Sequence, residues 1–185
     1  LDIRGGFFGG IEQGIFGRFT ELRTLQIDKS GSTYFYPDST NPNGELPFFF
    51  GDPNDPSTHK LRSIYARNND FRSIGTPTAG SNLVSVKQIE SLVNLYIDNN
   101  PNLLDDNFQI ASDDIVNITI DRTKLACPNL QARTSLRSFS ATYNTNFKSL
   151  FNNWDGTGFT GGNVPVGVSD ASYKFAGCSS LESIN

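Results

Sequence analysis

Apolar residues recur along this chain in a fixed frame. Leu92, Leu95 and Ile97 are followed by Asn100, and the same skeleton returns as Leu61, Ile64, Ala66, Asn69 and Phe71. It returns again as Ile115, Ile118, Ile120, Thr123 and Leu125, and as Leu136, Phe139, Ala141 and Asn144. Leu22, Leu25 and Ile27 form an earlier copy with Ser30 at the polar place, and Cys178, Leu181 and Ile184 read as the start of another. The fourth and sixth positions of each unit alternate with polar residues, as on a strand with one face buried and one in water. The Asn at the ninth position falls where the chain turns after the strand. There its amide can bond the backbone of its own unit and of the next, because a buried turn must satisfy its N–H and C=O groups. Thr123 and Ser30 are weaker substitutes. Leu1, Ile3, Gly6 and Phe8 fit the fourth, sixth, ninth and eleventh positions of a preceding unit. Repetition of this kind predicts stacked short units around one core. Leu61, Leu92, Ile115 and Leu136 then share one apolar column, and the strands run parallel.

The frame resembles the core motif of the leucine-rich repeat family, L-x-x-L-x-L-x-x-N-x-L, over roughly residues 1–36, 58–150 and 174–185. Its first positions fall at 22, 61, 92, 115, 136 and 181. Two of the intervals lie within the ~20–29 residues usual for that family, and the others read as a regular unit plus an insertion. Gly177-Cys178-Ser179-Ser180-Leu181-Glu182-Ser183-Ile184 is similar to the G-C-x-x-L-x-x-I element of irregular, Cys-containing repeats in bacterial surface proteins and some phage and protist proteins. Cys127-Pro128-Asn129-Leu130 resembles a C-P-N-L element of other such repeats. The resemblance implies that each Cys is a small buried filler. It also implies an α/β solenoid, with a short parallel sheet on one face and mostly loops and short helices on the other. Residues 1–185 are read as one such solenoid. Because the chain opens and closes in mid-repeat, it is expected to be a piece of a larger chain.

Two stretches, 31–58 and 151–173, break the rhythm. The first alternates aromatic clusters (Tyr34 to Tyr36, Phe48, Phe49, Phe50) with Pro, Asn and Gly; the second carries Trp154 and Phe159. Such alternation predicts ordered loops with tight turns, since flexible linkers lack aromatics. Two readings are open for Phe48, Phe49, Phe50 and Trp154: they shield the core, or they anchor a neighbouring subunit. A smaller interruption spans 75–90.

Composition narrows the function. Net charge is −4 and charged residues make up 18 %, which argues against a nucleic-acid backbone as partner, since that needs a basic stripe. No apolar run approaches the ~18 residues that span a membrane. The glycine-rich segment from Gly5 to Gly17 places Phe7, Ile11, Ile15 and Phe19 on one helical stripe, but it also fits the back of a repeat, and membrane insertion is not expected. His59 is the single histidine; in a Pro/Ser/Thr loop it reads as solvated. Neither Cys has a C-x-x-C partner, so no zinc site and no other cofactor is expected. Asp105-Asp106 and Asp113-Asp114 read as solvated turn or cap carboxylates. The cluster Asp38, Asn41, Asn43, Glu45 does not keep calcium-loop spacing. Asn117-Ile118-Thr119 is a formal glycosylation triplet whose Ile is a core position.

The residues between core positions point outward. Equivalent residues lie about 4.8 Å apart across the sheet and form columns. One column reads Gln26, Tyr65, Tyr96, Thr119, Ser140. The next reads Asp28, Arg67, Asp98, Asp121, Thr142, with Lys29, Asn68, Asn99, Arg122 and Tyr143 beside it. Tyr65, Arg67, Tyr96, Asp98, Asp121, Arg122 and Tyr143 are the candidate binding residues, for other protein subunits of an assembly or for a host-surface protein or glycan. An ordinary solvated face is the competing reading. The expectation is a non-enzymatic module of a virion protein (phage tail, baseplate or capsid-associated), with a bacterial cell-surface adhesin as the alternative. An enzyme would need two close carboxylates in a concave pocket, for which Asp98 and Asp121 are the pair on offer.

Overall fold

The computed structural model describes residues 1–3, 14–29, 42–106, 108–126, 130, 135–147, 153–154, 159–160 and 172–181. Its elements are short strands: β1 Thr24–Gln26, β2 Phe49–Phe50, β3 Ser63–Tyr65, β4 Leu83–Val84, β5 Asn94–Tyr96 and β6 Leu104–Asp105. They continue with β7 Asn117–Thr119, β8 Lys124–Leu125, β9 Ser138–Ser140, β10 Asn153–Trp154, β11 Phe159–Thr160 and β12 Ser172–Lys174. Helix among the described residues is confined to two single turns of 3-10 helix, Pro56–Thr58 and Val86–Gln88.

β1, β3, β5, β7, β9 and β12 form one six-stranded sheet in that order. Every pairing is parallel and joins like positions of the repeat: Leu25, Ile64, Leu95, Ile118, Phe139 and Tyr173 are successive Cα partners. Asp2 bridges in parallel to Gln26, with Ile3 N donating to Gln26 O at 3.1 Å, so Leu1 and Ile3 do stand in the register of a preceding unit. The register has a simple cause. A slip of one residue would turn every Leu, Ile and Phe of a strand from the core into water.

Leu61, Leu92, Ile115 and Leu136 are buried in one cluster with the fourth- and sixth-position residues, and Leu92, Leu95, Ile97, Ile118 and Ile120 are wholly inaccessible. Each such side chain contributes about 1.5–3 kcal/mol by leaving water. Behind the sheet run two lesser ladders, β2 with β4 (antiparallel) and β6 with β8 (parallel). Parallel bridges link Glu45 to Ser73 and Ser73 to Leu104. Phe48 and Phe49 are buried in the chain's own interior, Phe49 stacking on Phe16 at 6.1 Å. Their apolar area is spent on this core, which removes both as anchors for a neighbour; Phe50 is half-buried. Trp154 lies in β10, paired with β11, and its side chain is outside the described residues, as are Tyr34 to Tyr36 and the segment Gly5 to Gln13.

The turns after β3, β5, β7, β9 and β12 are built from two adjacent positions. The eighth residue adopts the left-handed region: Asn68 (φ 62), Asn99 (53), Arg122 (52), Tyr143 (56) and Gly177 (74). The ninth residue then points inward. Asn69 Nδ2 donates to Ile27 O at 3.0 Å, and Asn100 Nδ2 to Ala66 O and Ile97 O, both at 2.9 Å. Thr123 is too short to cross to the preceding unit, and its hydroxyl bonds Ile120 O of its own unit at 2.8 Å. Asn144 reaches back to Thr123 Oγ1 (3.1 Å) and Leu125 O (2.9 Å).

Cys178 belongs to this series. Its Sγ lies 2.8 Å from Ala141 O, the sixth-position carbonyl of the unit before, just as Asn69 and Asn100 address Ile27 and Ala66. Cys178 is therefore the ninth position of a unit whose strand is β12 and not the first position of a new one. That strand's first two residues, Ser172 and Tyr173, lie inside the 151–173 stretch read from sequence as insertion. The unit was hidden because Asp170 stands where its first Leu belongs, with Tyr173 and Phe175 at the fourth and sixth places.

Substitution Asn100→Ala tests the turn. It removes the donors to two units and the Oδ1 that receives Phe71 N at 3.2 Å, so it is expected to lower unfolding free energy by about 2–4 kcal/mol in urea titration.

Candidate functional site

The polar face of the six-stranded sheet carries the most organised exposed chemistry. Tyr65 and Tyr96 occupy the same position on neighbouring parallel strands, so their rings stack, 5.1 Å apart and 5° from coplanar. The Arg67 guanidinium sits 5.7 Å from each ring centroid. It is fixed there by Asp28, one unit earlier: Nη2 donates to Oδ2 at 2.7 Å and Nε to Oδ1 at 3.2 Å. The Asp28 bond, ahead of every other influence, raises the Arg67 pKa and holds its charge. Asp28 is buried, and its Oδ1 also receives Arg67 N at 2.7 Å. Four side chains from two consecutive turns and strands thus form one rigid block.

Asp121 does for the next turn what Asp28 does for this one. Its Oδ1 receives Thr142 N at 2.7 Å and Ser140 Oγ at 2.6 Å. Asp98 lies between them in the column. Its Oδ2 receives Asn99 Nδ2 at 3.0 Å, but its Oδ1 is buried without a hydrogen-bond partner. Desolvation is the main cause that pushes the Asp98 pKa up; its backbone bond and Arg67 oppose the shift, and the charges of Asp121 and Asp28 add to it. Arg122 and Tyr143 pair one column further out, the guanidinium 5.1 Å from the ring centroid. Of the seven candidate residues, the structure brings Tyr65, Arg67 and Tyr96 into one block with Asp98 and Asp121 alongside, and makes Arg122 with Tyr143 a second, more exposed pair.

A third column went unnoticed in the sequence. Asn94 Nδ2 donates to Ser63 Oγ at 3.0 Å and Asn117 Nδ2 to Asn94 Oδ1 at 2.8 Å, an amide ladder across three strands. The signal was present: the third positions read Thr24, Ser63, Asn94, Asn117, Ser138 and Ser172, neutral polar residues that can all bond sideways. The ladder occupies the amide of the Asn117 glycosylation triplet.

His59 is not solvated. It is buried at 6 % exposure, with Nδ1 receiving Glu90 N at 3.0 Å and Nε2 lying 3.1 Å from Asp52 O. A ring nitrogen that accepts from an amide bears no proton, so the proton is on Nε2 and is donated to Asp52 O. The loop sequence looked polar, but the loop folds onto the repeat, and Gly51 leaves room for the ring: a Cβ there would lie 2.6 Å from His59 Cδ2. Asp105 is tied to Lys87 at 2.7 Å, while Asp106, Asp113 and Asp114 are exposed. Asp38, Asn41 and Cys127 lie outside the described residues. Among the described residues no three His, Cys, Asp or Glu side chains gather as metal ligands, and no helix is long and apolar enough to cross a membrane.

The sequence matches no family model and no curated protein.

The raised Asp98 pKa fixes the sign of a pH effect. The folded chain binds this proton more tightly than the unfolded chain, so its contribution to stability is complete below the ordinary carboxylate pKa and is lost as pH rises through the higher folded value. Melting temperatures from about pH 4 to about pH 8 should therefore show Asp98→Asn equal to the parent at the acid end and more stable at neutral pH. Parallel curves at all pH values would contradict this assignment.

Proposed function

We propose that this chain is a leucine-rich-repeat-like solenoid serving as a non-catalytic recognition module in a larger assembly, with the polar sheet face as its protein-contact surface. Support for the solenoid comes from the recurrence of one frame in five consecutive inter-strand pairings and from the ninth-position side chains that reach from unit to unit. The recognition reading is carried by the block of Tyr65, Tyr96 and Arg67 on Asp28. Aromatic and Arg side chains supply most binding energy at interfaces, and these are immobilised before any partner arrives, so little side-chain entropy is lost on contact.

The assembly is proposed to be a virion, the module belonging to a tail, baseplate or capsid-associated protein. Low charge, 15 Phe and abundant Asn, Ser, Thr and Gly support that setting. A bacterial adhesin is the second reading, favoured by the Gly177-Cys178-x-x-Leu181 element. Antibody raised against the chain decides between them. Signal that co-sediments with intact particles supports the virion, and signal confined to the cell envelope replaces it with the adhesin.

The face itself is tested without disturbing the fold. Thr119 and Ser140 occupy the Tyr65/Tyr96 position in later units, so the double substitution Tyr65→Thr/Tyr96→Thr is compatible with the sheet. It should reduce retention of the purified particle component that binds the parent chain by about tenfold or more, with a cooperative melt preserved.

A further inference from the structure

Tyr143 and Arg122 stand where the backbone disfavours them. Both occupy the eighth, left-handed position of their units, with φ 56 and 52. At the same place Asn68, Asn99 and Gly177 are residue types that accept positive φ readily, whereas bulky side chains there are strained. Neither residue recovers the strain by burial: Tyr143 is 58 % exposed, and Arg122 is exposed too. They are nonetheless ordered against each other. The Arg122 guanidinium lies 5.1 Å from the Tyr143 ring centroid, and the ring rests on Gly177, where a Cβ would come within 2.6 Å of Tyr143 Cδ1.

Charge sharpens the picture. Arg67 is neutralised by Asp28, and Arg72 and Lys87 are paired with Asp70 and Asp105. Arg122 is without an acidic partner among the described residues. Its sequence neighbour Asp121 is turned to the next unit, holding Ser140 Oγ and Thr142 N on Oδ1. An exposed, oriented guanidinium with open donors, laid on an exposed ring, matches a carboxylate bearing a short aliphatic stem: the carboxylate meets the fork of N–H groups and the stem lies on the ring.

We propose that Arg122 and Tyr143 form an anchor for an acidic side chain, Glu or Asp, of a partner protein segment. The proposal rests on the recognition reading of this face and names the chemistry of its partner. The strain at both positions is then a stability cost retained for binding.

Two measurements test it. The first follows the Arg122 Nε–H and Tyr143 ring resonances during titration with poly-L-glutamate. Saturable shifts are expected, with affinity at least about tenfold weaker for Arg122→Asn and for Tyr143→Asn, and no shifts with poly-L-lysine. The second is thermal unfolding of the same two variants. Asn suits the backbone, so each should melt higher than the parent, by about 2 °C. Poly-L-glutamate that leaves both resonances unmoved, or binds Arg122→Asn as well as the parent, overturns the proposal. So does binding of heparin in place of poly-L-glutamate, which would assign the pair to sulfated glycan. A lower melting point for both variants would make the pair structural and overturn it equally. These readouts need no particle: if particle fractionation fails while poly-L-glutamate binds, the anchor stands and only the proposed setting falls.

Discussion

The turns that follow β3, β5, β7, β9 and β12 leave backbone carbonyls facing the interior, and the side chain at the ninth position bonds them. An unbonded buried carbonyl costs about 1–3 kcal/mol, so a fold built on such turns cannot leave them bare. Asn meets the need best because its amide offers two donors and one acceptor from one short stem. Asn100 uses both functions at once, donating to Ala66 O and Ile97 O and receiving Phe71 N. The bonds cross between units, so the same side chain that closes one turn fixes the spacing to the next. Where Thr123 cannot cross, Asn144 reaches back to it. Where Cys178 stands, a thiol, a weak donor, reaches the Ala141 carbonyl at 2.8 Å.

This arrangement explains which parts of the fold could be read from the residues alone. Leu, Ile and Asn at fixed intervals announce strand, inward face and turn together, so parallel strands and the column of Leu61, Leu92, Ile115 and Leu136 follow from spacing. The unit around β12 escaped because three of its markers are unusual: Asp170, Tyr173 and Cys178 replace Leu, Leu and Asn. A residue-type template fails there, whereas the geometry of the position is kept. Gly177 at the left-handed place was the clue that could have found it. His59 escaped for another reason. A Pro/Ser/Thr loop is polar by composition, and nothing local says that it folds over the repeat and closes on Glu90 N, 31 residues away.

The polar face was legible as columns but not as bonds. That Tyr65 and Tyr96 would meet follows from their equal position. That Asp28 would hold Arg67 across 39 residues of sequence does not, because the intervening insertion hides which units are neighbours. Once the pairing is known, the column at the seventh position divides by duty. Asp28 and Asp121 are structural carboxylates that receive the next turn's N–H, and their acidity serves the backbone. Asp98 has the same place but lacks that bond at Oδ1. Its charge is therefore held at a cost, on the same face as the Tyr65–Tyr96 stack.

Core packing and surface chemistry thus occupy different positions of one frame. The first, fourth, sixth and ninth places face inward and admit few residue types, because each fills the core or closes a turn. The third, fifth, seventh and eighth places lie on the polar face, where Asp28, Ser63 and Ser140 are themselves buried, and their residues change from unit to unit: Gln, Tyr, Tyr, Thr, Ser, Lys at the fifth, and Lys, Asn, Asn, Arg, Tyr, Gly at the eighth. At the fifth place that freedom has little backbone consequence, since a strand accepts Tyr as readily as Thr. At the eighth it does, because the left-handed turn favours Asn and Gly over every larger side chain. A large residue at the fifth place therefore carries no backbone cost, while Arg122 and Tyr143 at the eighth oppose the local preference of the chain. That contrast sets the exposed pair apart from the buried frame beneath it.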